Sequence, residues 1–168
     1  LLAKNGEKIK AFVMQGDKNV KYLPEDIEIC YGNIVNLNET EQMFLSNGQD
    51  DIIVIHCAGY VTIASKYNQA VYDVNVTGTK NVADLCLKYN VKRLVYVSSV
   101  HAIKELPNNE KITETSFFNK DDVVGLYSKT KAEATRYVLE KVKEGLNAVV
   151  VHPSGIIGPY DYGRGHTT

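Results

Sequence analysis

The chain has 168 residues, of which 44% are hydrophobic and 23% charged, and 19 basic against 20 acidic residues give a net charge of −1. That length suits one domain of about 100–200 residues, and the apolar share is enough to fill a core, which excludes an intrinsically disordered chain. With no basic excess to grip phosphate backbones, nucleic acid is not an expected partner.

In chain order, Leu1–Gly6 reads as the tail of a helix stopped by a glycine. Short runs rich in Val and Ile follow at 9–14, 27–31, 52–56, 93–98 and 147–152. They are nearly continuously apolar, as strands covered on both faces should be. Between them lie helical patterns at 39–46, 70–89 and 126–144. The last carries Tyr127, Thr130, Ala134, Val138 and Val142 at helical period and stops at Glu144-Gly145. Gly78 interrupts the middle helix and predicts a bend there. Strands alternating with helices of this length imply βαβ units, hence an α/β, doubly wound parallel sheet. The chain closes on Gly163-Arg-Gly-His-Thr-Thr with no final element, so it reads as the middle of something longer.

Cys30, Cys57 and Cys86 are odd in number and form no CxxC pair, so neither a zinc ribbon nor a disulfide framework is expected. Each reads as a reduced thiol, and Cys57 as a small buried hydrophobe with no basic neighbour to form a thiolate. His56, His101, His152 and His166 lie at no metal-ligand spacing, so no metal is expected. No apolar stretch reaches the roughly 18 residues that span a bilayer, and no signal-peptide core opens the chain. The expectation is a cytoplasmic, non-membrane protein.

In doubly wound sheets ligands bind beyond the carboxyl ends of the strands. Ser98 and Ser99 end the 93–98 run there. Downstream, Tyr127 and Lys131 stand four apart on one helix face, where the lysine charge is expected to lower the phenol's pKa from about 10. Such a tyrosine can exchange a proton with a substrate oxygen that Ser99 hydrogen-bonds. The spacing alone is uninformative: Tyr137 and Lys141 repeat it. Tyr127 opens its helix just after Gly125, where a side chain can face a cleft, whereas Tyr137 lies mid-helix, where packing is expected. No Gly-x-Ser-x-Gly elbow surrounds the serine pair, which argues against an α/β-hydrolase.

Taken together the ordered motifs resemble the extended short-chain dehydrogenase/reductases of the NAD-dependent epimerase/dehydratase group. Gly32-Asn-Ile34 is similar to that family's Gly-Asp-(Leu/Ile), and His56-Cys-Ala-Gly59 to its His-x-Ala-(Ala/Gly). Asp73-Val-Asn-Val-Thr-Gly-Thr79 resembles its Asn-Val-x-Gly-Thr helix, and Val95-Tyr-Val-Ser-Ser99 its catalytic-serine strand. Tyr127-Ser-Lys-Thr-Lys131 resembles its Tyr-x-x-x-Lys. His152-Pro-Ser-Gly-Ile-Ile-Gly-Pro159 resembles its Arg-Pro-x-x-(Val/Ile)-(Tyr/Ile)-Gly-Pro.

The resemblance implies a single Rossmann-like NAD(P)-binding domain over 1–168, incomplete at both ends, with NAD or NADP as cofactor. Tyr127 would be the acid/base, Lys131 would hold the nicotinamide ribose, and Ser99 would orient the substrate, with Ser98 its alternative. Asn33 and Ile34 would flank the adenine. Cys57, Ala58 and Gly59 would line the cofactor, Asn75 would lie beneath it, and Pro153 and Ser154 would close around the nicotinamide. Relatives often pair through the helices at 70–89 and 126–144, so a homodimer is implied. Three departures stand out. The family's Gly-x-x-Gly-x-x-Gly turn is missing, Asn33 replaces an aspartate, and His152 replaces an arginine. After the first run, Met14-Gln15 stand where an acid for the ribose 2′-hydroxyl is expected, with Asp17 and Lys18 further on, so NAD against NADP stays open.

The expected activity is hydride transfer to or from a ketone, aldehyde or alcohol. Val100-His-Ala-Ile-Lys and Gly155 depart from the pattern of nucleotide-sugar epimerases. A nucleotide-sugar epimerase or dehydratase is the nearer alternative, and a non-catalytic cofactor-sensing module the other.

Overall fold

Among the described residues five short strands form two sheets, and the strands within each sheet run parallel. The computed structural model describes residues 6–45, 51–107 and 110–158. Strand β1 (Lys10–Val13) pairs with β2 (Glu28–Tyr31), in register from Lys10 with Glu28 to Val13 with Tyr31. Strands β3 (Ile53–His56), β4 (Arg93–Val97) and β5 (Ala148–Val151) form a second sheet in that order, with β4 central. The helix tail expected at Leu1–Asn5 and the segment from Pro159 onward, with Tyr160, Tyr162 and Arg164, lie outside the described residues.

Helix α1 (Leu37–Glu41) starts earlier than its apolar pattern predicts. The reason is the cap: Asn36 Oδ1 accepts from the Asn38 and Glu39 amides, and Glu39 reaches back to Asn36 Nδ2 and to the Asn33 amide. Helix α2 (Gln69–Tyr72) runs through a π-helical turn, Asp73–Thr77, into α3 (Gly78–Lys88). The irregularity expected at Gly78 therefore lies in the turn before it. Gly78 itself is required by packing: a Cβ there would sit 2.7 Å from Ile34 Cγ2. Helix α4 (Leu126–Lys143) follows, with Thr130, Ala134 and Val138 buried as its period predicts.

The core lies between α3, α4 and one face of the β3–β5 sheet. Leu94 and Tyr96 of β4 are fully buried there, packed in one cluster with Val82, Ala83, Cys86, Ala134 and Val138. Each such large apolar side chain contributes on the order of 1.5–3 kcal/mol on burial. Ile34 and Phe44 join the same cluster, and Asn81 Nδ2 donates to the Ile34 and Val35 carbonyls, which ties the β1–β2 pair to α3. The expectation of cover on both faces holds for one face among the described residues. On the other, Ile53, Ile55, Val149 and Val151 are exposed, because α3 and α4 both pack on the Leu94–Tyr96 side. Among the described residues no helix is long and apolar enough to cross a membrane.

Candidate active site

The carboxyl ends of β3, β4 and β5 meet the first turn of α4, and the candidate residues gather there. Ser98 and Ser99 divide their work. Ser98 Oγ is buried 2.7 Å from Thr135 Oγ1 and serves the core. Ser99, in extended backbone, accepts from the His101 amide, and its hydroxyl lies near enough to the Tyr127 phenol to draw that pKa down. The structure thus brings together Ser99 and Tyr127.

Lys131 lies one turn along the same face and is 3% exposed. Its Nζ donates to the Val97 carbonyl at 3.0 Å and stands 5.2 Å from the Tyr96 ring centre and 6.0 Å from that of Tyr127. Burial pushes its pKa down to about 8, with only nearby Cys57 acting the other way. The lowering of the Tyr127 pKa expected from the spacing does not occur: burial raises it, and the nearby Ser99 hydroxyl draws it only part-way back. The ammonium is spent on the Val97 carbonyl and does not touch the phenol oxygen. At neutral pH Tyr127 therefore holds its proton and is poised as a donor.

Asn75 sits on the π-helical turn, 1% exposed. Its Oδ1 accepts from the Tyr60 amide at 2.7 Å, and its Nδ2 donates to the Tyr60 carbonyl and to Thr130 Oγ1. Thr130 in turn donates to the Tyr127 carbonyl at 2.8 Å. One buried amide thus locks the loop after β3 to the first turn of α4. Single-turn π segments often mark such places, since the widened turn re-aims a side chain.

Beneath lies His56, whose Nε2 is 2.9 Å from Thr79 Oγ1. Thr79 donates its own proton to the Asn75 carbonyl, so His56 Nε2 carries the hydrogen. Burial, helped by Lys131, pushes the His56 pKa down to about 3, so the ring is neutral and stacks on Tyr96 at 5.3 Å.

The remaining predicted residues fall around this centre. Cys57, Ala58 and Gly59 are exposed at the end of β3. Cys57 is therefore not the buried hydrophobe expected: the apolar run ends with the strand, one residue before it. Desolvation still raises its thiol pKa despite nearby Lys131, so it is no thiolate. A Cβ at Gly59 would lie 3.4 Å from both Lys131 Nζ and Asn75 Oδ1, so those two polar atoms lie directly against exposed backbone. Asn33 is exposed after β2, its Oδ1 accepting from the Val35 amide, whereas Ile34 is turned into the core. Ser154 is exposed and Pro153 partly so, with the Pro153 carbonyl accepting from the Val100 amide at 3.0 Å. Asp17 is used as a cap, accepting from the Asn19 amide.

The roles of Val97, His56 and Thr79 do not show in local pattern, because each acts through a partner on another element. The one signal in reach was the threonine preceding Lys131, which faces Asn75.

A family model described as the 3-beta hydroxysteroid dehydrogenase/isomerase family matches residues 4–164. Among curated relatives, the chain is 29% identical to sterol demethylase protein B of Methylococcus capsulatus over 96% of its own length and 48% of that protein's. It is 31% identical to the decarboxylating sterol-4-alpha-carboxylate 3-dehydrogenase of Saccharomyces cerevisiae, over 86% and 40%. The chain thus spans less than half the length of these relatives. Among solved structures it matches that of gox2253 with a TM-score of 0.80 at 24% identity, covering 95% of this chain and 48% of that one. It matches a Thermus thermophilus UDP-glucose 4-epimerase solved with NAD at a TM-score of 0.74 and 20% identity, covering 90% and 48%. These structural likenesses establish the fold.

Proposed function

The chain belongs to the 3-beta hydroxysteroid dehydrogenase/isomerase family, whose members are NAD(P)-dependent enzymes, and from that premise we propose that it forms the NAD(P)-binding domain of an oxidoreductase acting on an alcohol or ketone. The observation that carries this reading is the buried Lys131 ammonium, held by the Val97 carbonyl 6.0 Å from the centre of the Tyr127 ring.

The residues present fit a nicotinamide cofactor. Lys131 Nζ and Asn75 Oδ1 lie against the exposed backbone at Gly59, where a ribose and its neighbouring ring would be held, and exposed Asn33 stands ready for the adenine. When bound, the cofactor supplies or accepts the hydride. Ser99 Oγ hydrogen-bonds the substrate oxygen and fixes it within reach of the Tyr127 phenol. Tyr127 gives its proton to that oxygen in reduction and takes it back in oxidation. Lys131 lowers the cost of the phenolate left behind, because a positive charge in a poorly solvated site is worth far more than in water. Asn75 and Thr130 hold the Tyr127 turn in place.

The names of the sterol and hydroxysteroid relatives favour an alcohol or ketone on a fused-ring, apolar substrate. The test is made on the full-length polypeptide with NADH and NADPH fluorescence titrations, followed by turnover with a 3β-hydroxysteroid and, separately, UDP-glucose. Net reduction of the nicotinamide by the hydroxysteroid supports the proposal. Epimerised UDP-glucose without net reduction would move the reading to a nucleotide-sugar epimerase, and cofactor binding with neither reaction would move it to a cofactor-sensing module. A homodimer through α2–α3 and α4 belongs to the same proposal. Its outer surface would be polar, since Glu133 there bridges Lys80, Lys120 and the Tyr72 hydroxyl. A solution mass showing only monomer would remove it.

A further inference from the structure

We infer that His152 is a positioning residue: its ring N–H grips the Ser99 carbonyl and its face is clamped on Phe118, which holds the Ser99 hydroxyl toward Tyr127. The inference rests on the Ser99–Tyr127 reading above and extends it to a residue where the family resemblance expects arginine.

The β4–β5 ladder continues past the ends of both strands, with the Ser98 amide donating to the Val151 carbonyl at 2.9 Å and the Val100 amide to the Pro153 carbonyl at 3.0 Å. Proline has no N–H to return to β4, so the ladder stops there. The Ser99 carbonyl accepts from the Ala102 amide at 3.0 Å within its own turn, and His152 brings it a second donor from across the sheet. Its Nδ1 lies 2.9 Å from the Ser99 carbonyl oxygen. A carbonyl can only accept, so the hydrogen sits on Nδ1.

The ring is not free to leave. It stacks on Phe118 with 10° between the planes and 5.1 Å between centres. Phe118 is 5% exposed and packs with Ala102, Val123 and Ala132, the last being next to Lys131 on α4. A single imidazole therefore joins the serine turn to the floor under α4. Ser99 Oγ otherwise has only the local His101 amide to orient it. Without the clamp the turn 100–102 can shift, and a shift on the order of 1 Å at a reacting group costs up to about a hundredfold in rate.

The test uses the full-length protein and two substitutions. His152→Phe keeps the stack and loses the donor; His152→Asn returns a donor near the Nδ1 position. With a 3β-hydroxysteroid, kcat should fall roughly ten- to a hundredfold in His152→Phe, with KM and cofactor affinity within about twofold, and recover largely in His152→Asn. Wild-type kcat in His152→Phe, or equal loss in both variants, would overturn the inference and leave His152 as packing. A second readout needs no turnover. With tyrosines labelled at Cζ, the Tyr127 phenol should titrate at higher pH in His152→Phe, as in Ser99→Ala, because the Ser99 hydroxyl no longer faces it. It should return toward wild type in His152→Asn. An unmoved Tyr127 titration in His152→Phe overturns the positioning role even if the wild-type protein turns over no steroid, so failure of the inference and failure of the functional reading are told apart.

Discussion

Helix α4 carries the same Tyr-x-x-x-Lys spacing twice, and the two copies do opposite things. At the first turn, Lys131 is buried, meets only a backbone carbonyl, and has its pKa pushed down to about 8. Further along, Lys141 pairs with Asp84 at 3.1 Å and Glu144 at 3.0 Å, and these carboxylates raise its pKa. Tyr127 has a serine hydroxyl nearby that draws its pKa down, a group that could equally bond a substrate oxygen. The Tyr137 hydroxyl is held by both oxygens of Asp84, at 2.8 and 2.9 Å. One pair is kept short of partners and so is costly to hold charged. The other is fully paired and serves as a surface tie between α3 and α4. Strained electrostatics of the first kind cluster where chemistry is done, and satisfied pairs of the second kind are structural.

The contrast is broken most sharply at the lysines. Lys131→Met should lower turnover by about 10²-fold or more while raising the melting temperature at pH 7, since the buried charge goes and the apolar stem stays. The sign follows from proton counts. Between pH 8 and 10.5 the unfolded chain binds more protons at this lysine than the folded one, so wild-type stability rises with pH across that window. The advantage of Lys131→Met, at most about 3 kcal/mol, should therefore be full below pH 8 and fade by pH 10.5, as thermal melts over that range will show. Next in size, Ser99→Ala should cost roughly ten- to a hundredfold in kcat with cofactor affinity unchanged, measured by steady-state rates beside a fluorescence titration.

A smaller effect sharpens the same contrast from beneath. His56 titrates at about 3 in the fold against 6.5 unfolded, so its contribution is present above pH 6.5 and is lost as pH falls toward 3. At pH 5 wild type should have lost about 2 kcal/mol through this residue, and urea melts of His56→Gln should show a flatter acid limb. Smallest of all, Lys141→Met should destabilise by about 0.5–1 kcal/mol at pH 7 and leave turnover unaltered, its carboxylate partners being half exposed to solvent. The two lysine substitutions thus carry opposite signs in one melting experiment.

Much of this was legible beforehand. The strands announced themselves because continuous Val/Ile runs are rare outside parallel sheets, and the helices because buried positions repeat every turn. The position of Tyr127 just after Gly125 separated it from Tyr137, which spacing could not do. What escaped was set by distant partners. Nothing near Lys131 in sequence says that the Val97 carbonyl will accept its hydrogen bond, so the spacing alone suggests the wrong direction for the Tyr127 shift. Cys57 follows the apolar run directly and so looks like part of it, although the strand stops at His56 and the thiol is exposed. The π-helical turn at Asp73–Thr77 has no local signature beyond the nearby glycine, and it is what brings Asn75 under Gly59. The cap that starts α1 at Asn36 was readable, since Asn36 and Glu39 stand at capping-box spacing, but the apolar pattern drew the boundary later.

The most direct test sets the two tyrosines against each other. Tyr127→Phe and Tyr137→Phe are compared for kcat and for cofactor dissociation constant in the full-length protein. Tyr127→Phe should lose about 10²–10⁴-fold in kcat and still bind cofactor, while Tyr137→Phe keeps wild-type kcat. Equal turnover in the two variants would contradict the assignment of the catalytic centre to the first turn of α4.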